Sequence, residues 1–199
     1  HMMHRMPMSG IFELFIPGVK AGEIYKYEMK LKGGTVQMKS DPYAACTELP
    51  PASASVVADL RDFQWDDAKW MEERIRFRDR KQPVSIYETS LSNWKDTSEL
   101  VSYVKELKYT HVELHPVMEY LDEEAGEYST FAYYAPDRRF GTPEDFQKLV
   151  NAFHKENIGV ILDWTPSHFP RQEGGLENFD GTPLYENPDP SMAIHPMWG

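Results

Sequence analysis

Apolar residues recur along this chain in two rhythms, and the change between them divides it. Up to about residue 60 they come in short runs closed by turn chemistry. Residues 11–16 are apolar except for Glu13 and stop at Pro17-Gly18, while residues 24–29 set Tyr25, Tyr27 and Met29 between charges and stop before Gly33-Gly34. Residues 36–39 and 55–59 repeat the pattern. Such runs, bounded by Gly, Pro and Asp, read as strands, and four of them rich in aromatic and β-branched side chains predict part of a β-sandwich. Residues 61–82 are charged, carry Trp65 and Trp70, and include an Arg-Phe-Arg-Asp-Arg run at 76–80. They read as a connector that packs two tryptophans, with a boundary near Pro83.

Beyond Pro83 the period lengthens. Residues 84–88 form a short buried-type strand, after which Leu100, Val101, Val104 and Leu107 keep helical spacing behind the cap candidates Asp96, Thr97 and Ser98. Residues 110–117 return to strand, and an irregular stretch follows to Phe140. The next helix start is marked three times over: Thr142 suits the N-cap, Pro143 the first helical position, and Glu144 and Asp145 the positive end of the dipole. Phe146, Leu149, Val150 and Phe153 give that helix one apolar face, and residues 160–164 read as a third buried strand. The order β-α-β-loop-α-β implies parallel strands with right-handed crossovers, the opening of an α/β architecture.

Composition narrows the partners. The 199 residues are 41% hydrophobic, enough to fill a core. Their net charge of −11, with no dense Lys/Arg block, argues against nucleic acid. One cysteine, Cys46, excludes an internal disulfide and fits a cytoplasmic protein. No apolar run approaches the roughly 18 residues of a membrane span, so no membrane partner is expected. His1-Met2-Met3-His4 reads as a cloning scar, and residues 1–8 are set aside as a tail. His111 and His115 would stand roughly 13 Å apart along a strand, too far to share an ion. Neither metal nor cofactor is expected.

A family emerges from the motifs. Glu13-Leu14-Phe15-Ile16-Pro17-Gly18, Ser40-Asp41-Pro42-Tyr43-Ala44, Thr110-His111-Val112-Glu113-Leu114, Arg139-Phe140-Gly141-Thr142-Pro143 and Gly159-Val160-Ile161-Leu162-Asp163-Trp164 stand in this order. Together they resemble the bacterial 1,4-α-glucan (glycogen) branching enzymes of the α-amylase superfamily. The resemblance implies the C-terminal part of a glycan-binding β-sandwich at 9–60, the connector at 61–82, and the first three β/α units of an incomplete (β/α)₈ barrel at 83–199. It also implies α-glucan (glycogen, amylose or starch) as partner, and an activity that cleaves an α-1,4 glucan and re-forms it as an α-1,6 branch.

That chemistry needs two carboxyl groups flanking the anomeric carbon, which the family carries on its fourth and fifth barrel strands. The chain is expected to stop before both, leaving Asp163 as the best retained catalytic candidate, in a supporting role. The resemblance gives Asp163 and His168, in Asp163-Trp164-Thr165-Pro166-Ser167-His168, to the sugar before the scissile bond, and makes Tyr128 the aromatic platform beneath it. Taken without the resemblance, Asp163 also reads as a strand-end cap, His168 as a loop histidine and Tyr128 as a solvent-facing tyrosine. Around Tyr128 the family pattern Trp-Gly-Tyr-Gln is replaced by Gly126-Glu127-Tyr128-Ser129, and Glu127 puts a carboxylate where glycine would allow close backbone approach. Glu113 and His115 are expected at the barrel interior or rim. Two further readings stay open: a non-catalytic glucan binder using exposed aromatics such as Trp65, Trp70 or Tyr128, and a small hydrolase pairing Asp163 with Glu88 or Glu113. Three parallel strands leave open edges, so self-association or a complementing chain is expected.

Overall fold

The computed structural model describes residues 1–31, 33–75 and 82–197. Before residue 60 the strands are β1 (His4–Arg5), β2 (Phe12–Glu13), β3 (Ile24–Tyr25), β4 (Tyr27–Lys30), β5 (Val36–Lys39) and β6 (Ser55–Val56). They pair antiparallel, β1 with β2, β3 with β6 and β4 with β5. Residues 11–16 yield only the two residues of β2, and Phe12 and Phe15 face solvent. The partner of β2 comes from the segment set aside as a tail, turned back through Met8 and Gly10 at positive φ.

The connector contributes α1 (Ala68–Glu73). Trp70 is 6% exposed and stacks on His154 at 5.1 Å, edge-on to His111. Burial removes Trp70 from the candidate glycan-binding aromatics. Trp65 remains half-exposed, against the edge of Phe63. The run at 76–80 lies outside the described residues.

The second half holds β7 (Ile86–Thr89), α2 (Thr97–Glu106), β8 (His111–Leu114), β9 (Met118–Glu119), β10 (Ala132–Pro136), α3 (Pro143–Lys155), β11 (Gly159–Leu162) and a last turn, α4 (Pro190–Ala193). β7, β8 and β11 form one parallel sheet with β8 in the middle. The expected caps are in place: Asp96 accepts the Ser98 N–H at 2.7 Å, and Thr142 and Asp145 close a reciprocal capping box. Leu100, Val104, Leu149 and Phe153 then meet Val112 and Leu114 in one core. Each fully buried side chain of this kind contributes roughly 1.5–3 kcal/mol. Gly159 opens β11 beside the His111 ring, where an added Cβ would collide with the imidazole.

The stretch before Phe140 is less irregular than the sequence suggested. β9 and β10 pair antiparallel and carry the joint to the N-terminal region. Glu119, fully buried, accepts the Thr47 hydroxyl at 2.8 Å and the Arg138 N–H at 2.9 Å. Lys39 donates to the carbonyls of Gly175 and Glu177 at 3.1 and 2.7 Å, and Tyr43 stacks on Tyr134 at 5.4 Å. Among the described residues no helix is long and apolar enough to cross a membrane.

Burial pushes the Glu119 carboxyl up to about 7, against the pull of its Arg138 and Thr47 donors. The folded chain therefore holds this proton more tightly than the unfolded chain does. Stability from this group is complete below the ordinary carboxyl range and falls as pH rises toward 7, by up to about 3 kcal/mol. Urea unfolding at acidic and neutral pH should reveal that slope, and Glu119→Gln should remove it while keeping an acceptor for Thr47.

Candidate sugar-binding site

Parallel strands send their C-terminal ends to one side, and in barrels that side carries the chemistry. The alternation of a strand places Tyr87, Val112, Leu114 and Val160 toward the helices. Glu88, Glu113, His115 and Asp163 take the opposite face. Register completes the placement: Glu88 stands level with Glu113, the His115 N–H bonds the Thr89 carbonyl, and the Asp163 N–H bonds the Leu114 carbonyl. His115 and Asp163 thus occupy the row just above the last strand pairs.

The loop between β9 and β10 returns over this row. Asp122 caps it by accepting the Glu124 N–H at 2.9 Å, and Gly126 supplies the positive φ of its turn. Glu127 lies with one oxygen 2.9 Å from His115 Nδ1 and accepts the Ser90 hydroxyl with the other at 2.8 Å. Tyr128 follows, and its phenol donates to Asp163 Oδ2 at 3.0 Å. Burial and then that bond to Asp163 raise the Tyr128 phenol above its ordinary value. The phenol is therefore a hydrogen-bond donor across the neutral range.

His168 stands five residues beyond Asp163. Tyr133 donates to its carbonyl at 2.6 Å and packs edge-on against Trp164, while Ser167 Oγ lies 3.0 Å from its Nδ1. The structure thus joins Tyr128 to Asp163 directly and anchors His168 through its own backbone. Glu88 is 3.2 Å from His115 Nε2, on the same face. Ser90 and the bonding role of Glu127 were not legible beforehand. Ser90 sits directly after the end of β7, which is the one signal that could have marked it. Among the described residues no group of three or more His, Cys, Asp or Glu side chains could hold a metal ion.

Comparison with known proteins bears on the family and the fold. The alpha amylase catalytic domain family matches residues 76–179, and carbohydrate-binding module 48 (isoamylase N-terminal domain) matches residues 1–44. The 1,4-alpha-glucan branching enzyme GlgB of Kitasatospora aureofaciens is 45% identical over 99% of this chain, and that of Frankia casuarinae is 47% identical over 99%. The chain spans only 27% and 25% of their respective lengths. Among solved structures, an alpha-amylase-type protein from Salmonella typhimurium superposes with a TM-score of 0.68 at 26% identity, over 87% of this chain and 29% of its own. A pullulanase from Anoxybacillus sp. LM18-11 shares the fold, with a TM-score of 0.63 at 20% identity over 84% of this chain and 29% of its own. The match to the alpha amylase catalytic domain over residues 76–179, more than half of the chain, on a parallel β/α sheet, places this chain in the alpha-amylase family.

Proposed function

We propose that this chain supplies the sugar-holding floor of an α-glucan-acting enzyme of the branching type. Asp163, Tyr128 and His168 contact the glucosyl unit just before the bond to be cleaved. The observation that carries this reading is the 3.0 Å bond between Tyr128 and Asp163. Two side chains 35 positions apart, each implicated separately by the resemblance, meet at the end of the sheet where barrels bind substrate. A carboxylate and a phenol fixed against one another offer an acceptor, a donor and an aromatic face to a sugar ring.

Retaining transfer requires a nucleophile and an acid/base on either side of the anomeric carbon. The resemblance puts these on later strands, so Asp163 orients the sugar and does not attack it. On this reading residues 83–199 are the opening of the catalytic barrel, residues 9–60 belong to its glycan-binding sandwich, and 61–82 connect them. On the same reading this chain's residues hold glycogen, amylose or starch, and groups on later strands exchange the bond. Branch formation, named for the relatives, belongs to a barrel in which the later strands are present. Pairing of Asp163 with Glu88 for hydrolysis is disfavoured because Glu88 is engaged by His115 and Asp163 by Tyr128. A cytoplasmic setting fits the single buried cysteine.

Maltoheptaose binding tests the site. Tyr128→Ala and His168→Ala should each weaken it about tenfold, the loss of one good contact, whereas substitution of the distant Trp65 should leave it unchanged. Equal affinity in all three variants would remove the assignment.

The outer edges of β7 and β11 carry no further strand among the described residues, and Ile86 and Leu162 are exposed along them. We infer that these edges are covered by a second copy of the chain or by a complementing polypeptide. Sedimentation should then show association that grows with concentration and disappears when a complementing barrel segment is added. A monomer at all concentrations would refute self-association, and failure of a complementing barrel segment to bind would refute the other cover.

A further inference from the structure

The charge of one imidazole can be read from its neighbours. His115 Nδ1 lies 2.9 Å from Glu127 Oε1, and Nε2 lies 3.2 Å from Glu88 Oε1. An ionised carboxylate only accepts hydrogen bonds, and a neutral imidazole has a single N–H. Both contacts are hydrogen bonds only when the ring carries two protons.

The consequence travels through Glu127. Its side chain is 21% exposed, against 68% for Glu88, and its second oxygen is tied to Ser90. Residue 127 is thereby fixed to the ends of both β7 and β8, and the next residue is Tyr128, whose phenol reaches Asp163 on β11. The titratable groups facing the imidazole are Glu88 from β7 and Glu127 and Tyr128 from the loop, the Tyr128 ring centre standing 6.3 Å from that of His115. Asp163 joins this set through the phenol.

We propose that His115, held as an imidazolium between Glu127 and Glu88, is a positioning residue that sets the Tyr128 phenol against Asp163. The arrangement therefore assembles at acidic and neutral pH and loosens in alkaline solution. When the ring loses a proton, one nitrogen presents a lone pair to a carboxylate. The longer bond, to exposed Glu88, yields first, and the bond to Glu127 loses its charge assistance. A largely covered carboxylate then gains by turning toward water, and Tyr128 moves with it. Burial opposes the charge on His115, but the hydrogen bonds and charges of Glu127 and Glu88 outweigh it and raise the imidazole above its ordinary value. The effect is thus complete below the ordinary histidine range and is lost as pH rises through the raised value. Its consequence for sugar binding rests on the site proposed above, whereas the link from His115 to Tyr128 does not.

Proton NMR of the 199-residue chain, titrated from roughly pH 5 to 9, tests the link. Ring signals are assigned with His115→Gln and Tyr128→Phe. His115 should titrate above the usual value of about 6.5, and the Tyr128 ring signals should shift with the same midpoint. Glu127→Gln should lower the His115 midpoint and release Tyr128 from it. Should that variant fail to fold, Glu88→Gln, at an exposed position, should still lower the midpoint. Maltoheptaose affinity on the same samples should fall about tenfold across the His115 transition. Tyr128 signals indifferent to the His115 titration, or a His115 midpoint at or below the ordinary value, would overturn the proposal. Coupled titrations without maltoheptaose binding at any pH would uphold the positioning role and overturn the sugar site. Binding that ignores pH, with uncoupled rings, would do the opposite.

Discussion

Burial of Val112 and Leu114 under α2 and α3 is the constraint on which the rest depends. A strand has two faces, and once alternate residues of β8 are committed to the helices, the residues between them must face the other way. Glu113 and His115 are placed by that rule, and register carries it to Glu88 on one side and Asp163 on the other. The polar row at the strand ends is thus a product of the apolar packing behind it. A slip of one residue would exchange the two faces, burying the carboxylates and exposing the valine and leucine.

The two ends of the sheet are finished differently. At the N-terminal end Gly159 leaves room for the His111 ring, and Trp70 closes over it from the connector, stacked on His154. Burial lowers the His111 pKa, so this end favours a neutral ring. At the C-terminal end His115, four residues along the same strand direction, meets two carboxylates and favours the charged ring. Two histidines of one strand segment thus have their pKa values moved in opposite directions, by burial at one end and by carboxylates at the other.

Much of this was legible wherever local chemistry and tertiary packing agree. Asp96 and Thr142 mark their helix starts because a cap acts within one turn, and the apolar spacing of Leu149 and Phe153 coincides with the core they enter. The parallel order of β7, β8 and β11 followed from their alternation with helices. β9 was hidden because its Glu119, a charged residue in the sequence, is buried through partners 72 and 19 positions away. The departure at Glu127 looked like a disturbance, since its partners His115 and Ser90 come from strand ends that only the fold brings together. Trp70 could not be told from Trp65, as both stand in a charged segment and only one meets a histidine plate from α3.

The joint between the N-terminal strands and the barrel segment has a bearing on how such proteins can be recombined. Thr47 and Lys39 reach across it, to Glu119 and to the carbonyls of residues 175 and 177. A foreign module grafted in front of this sheet would strand a buried carboxylate and two carbonyls unless it brought a hydroxyl and an ammonium to the same points. The two parts therefore have to be inherited, exchanged or engineered as a matched set, with the seam placed outside the pair and not between its members.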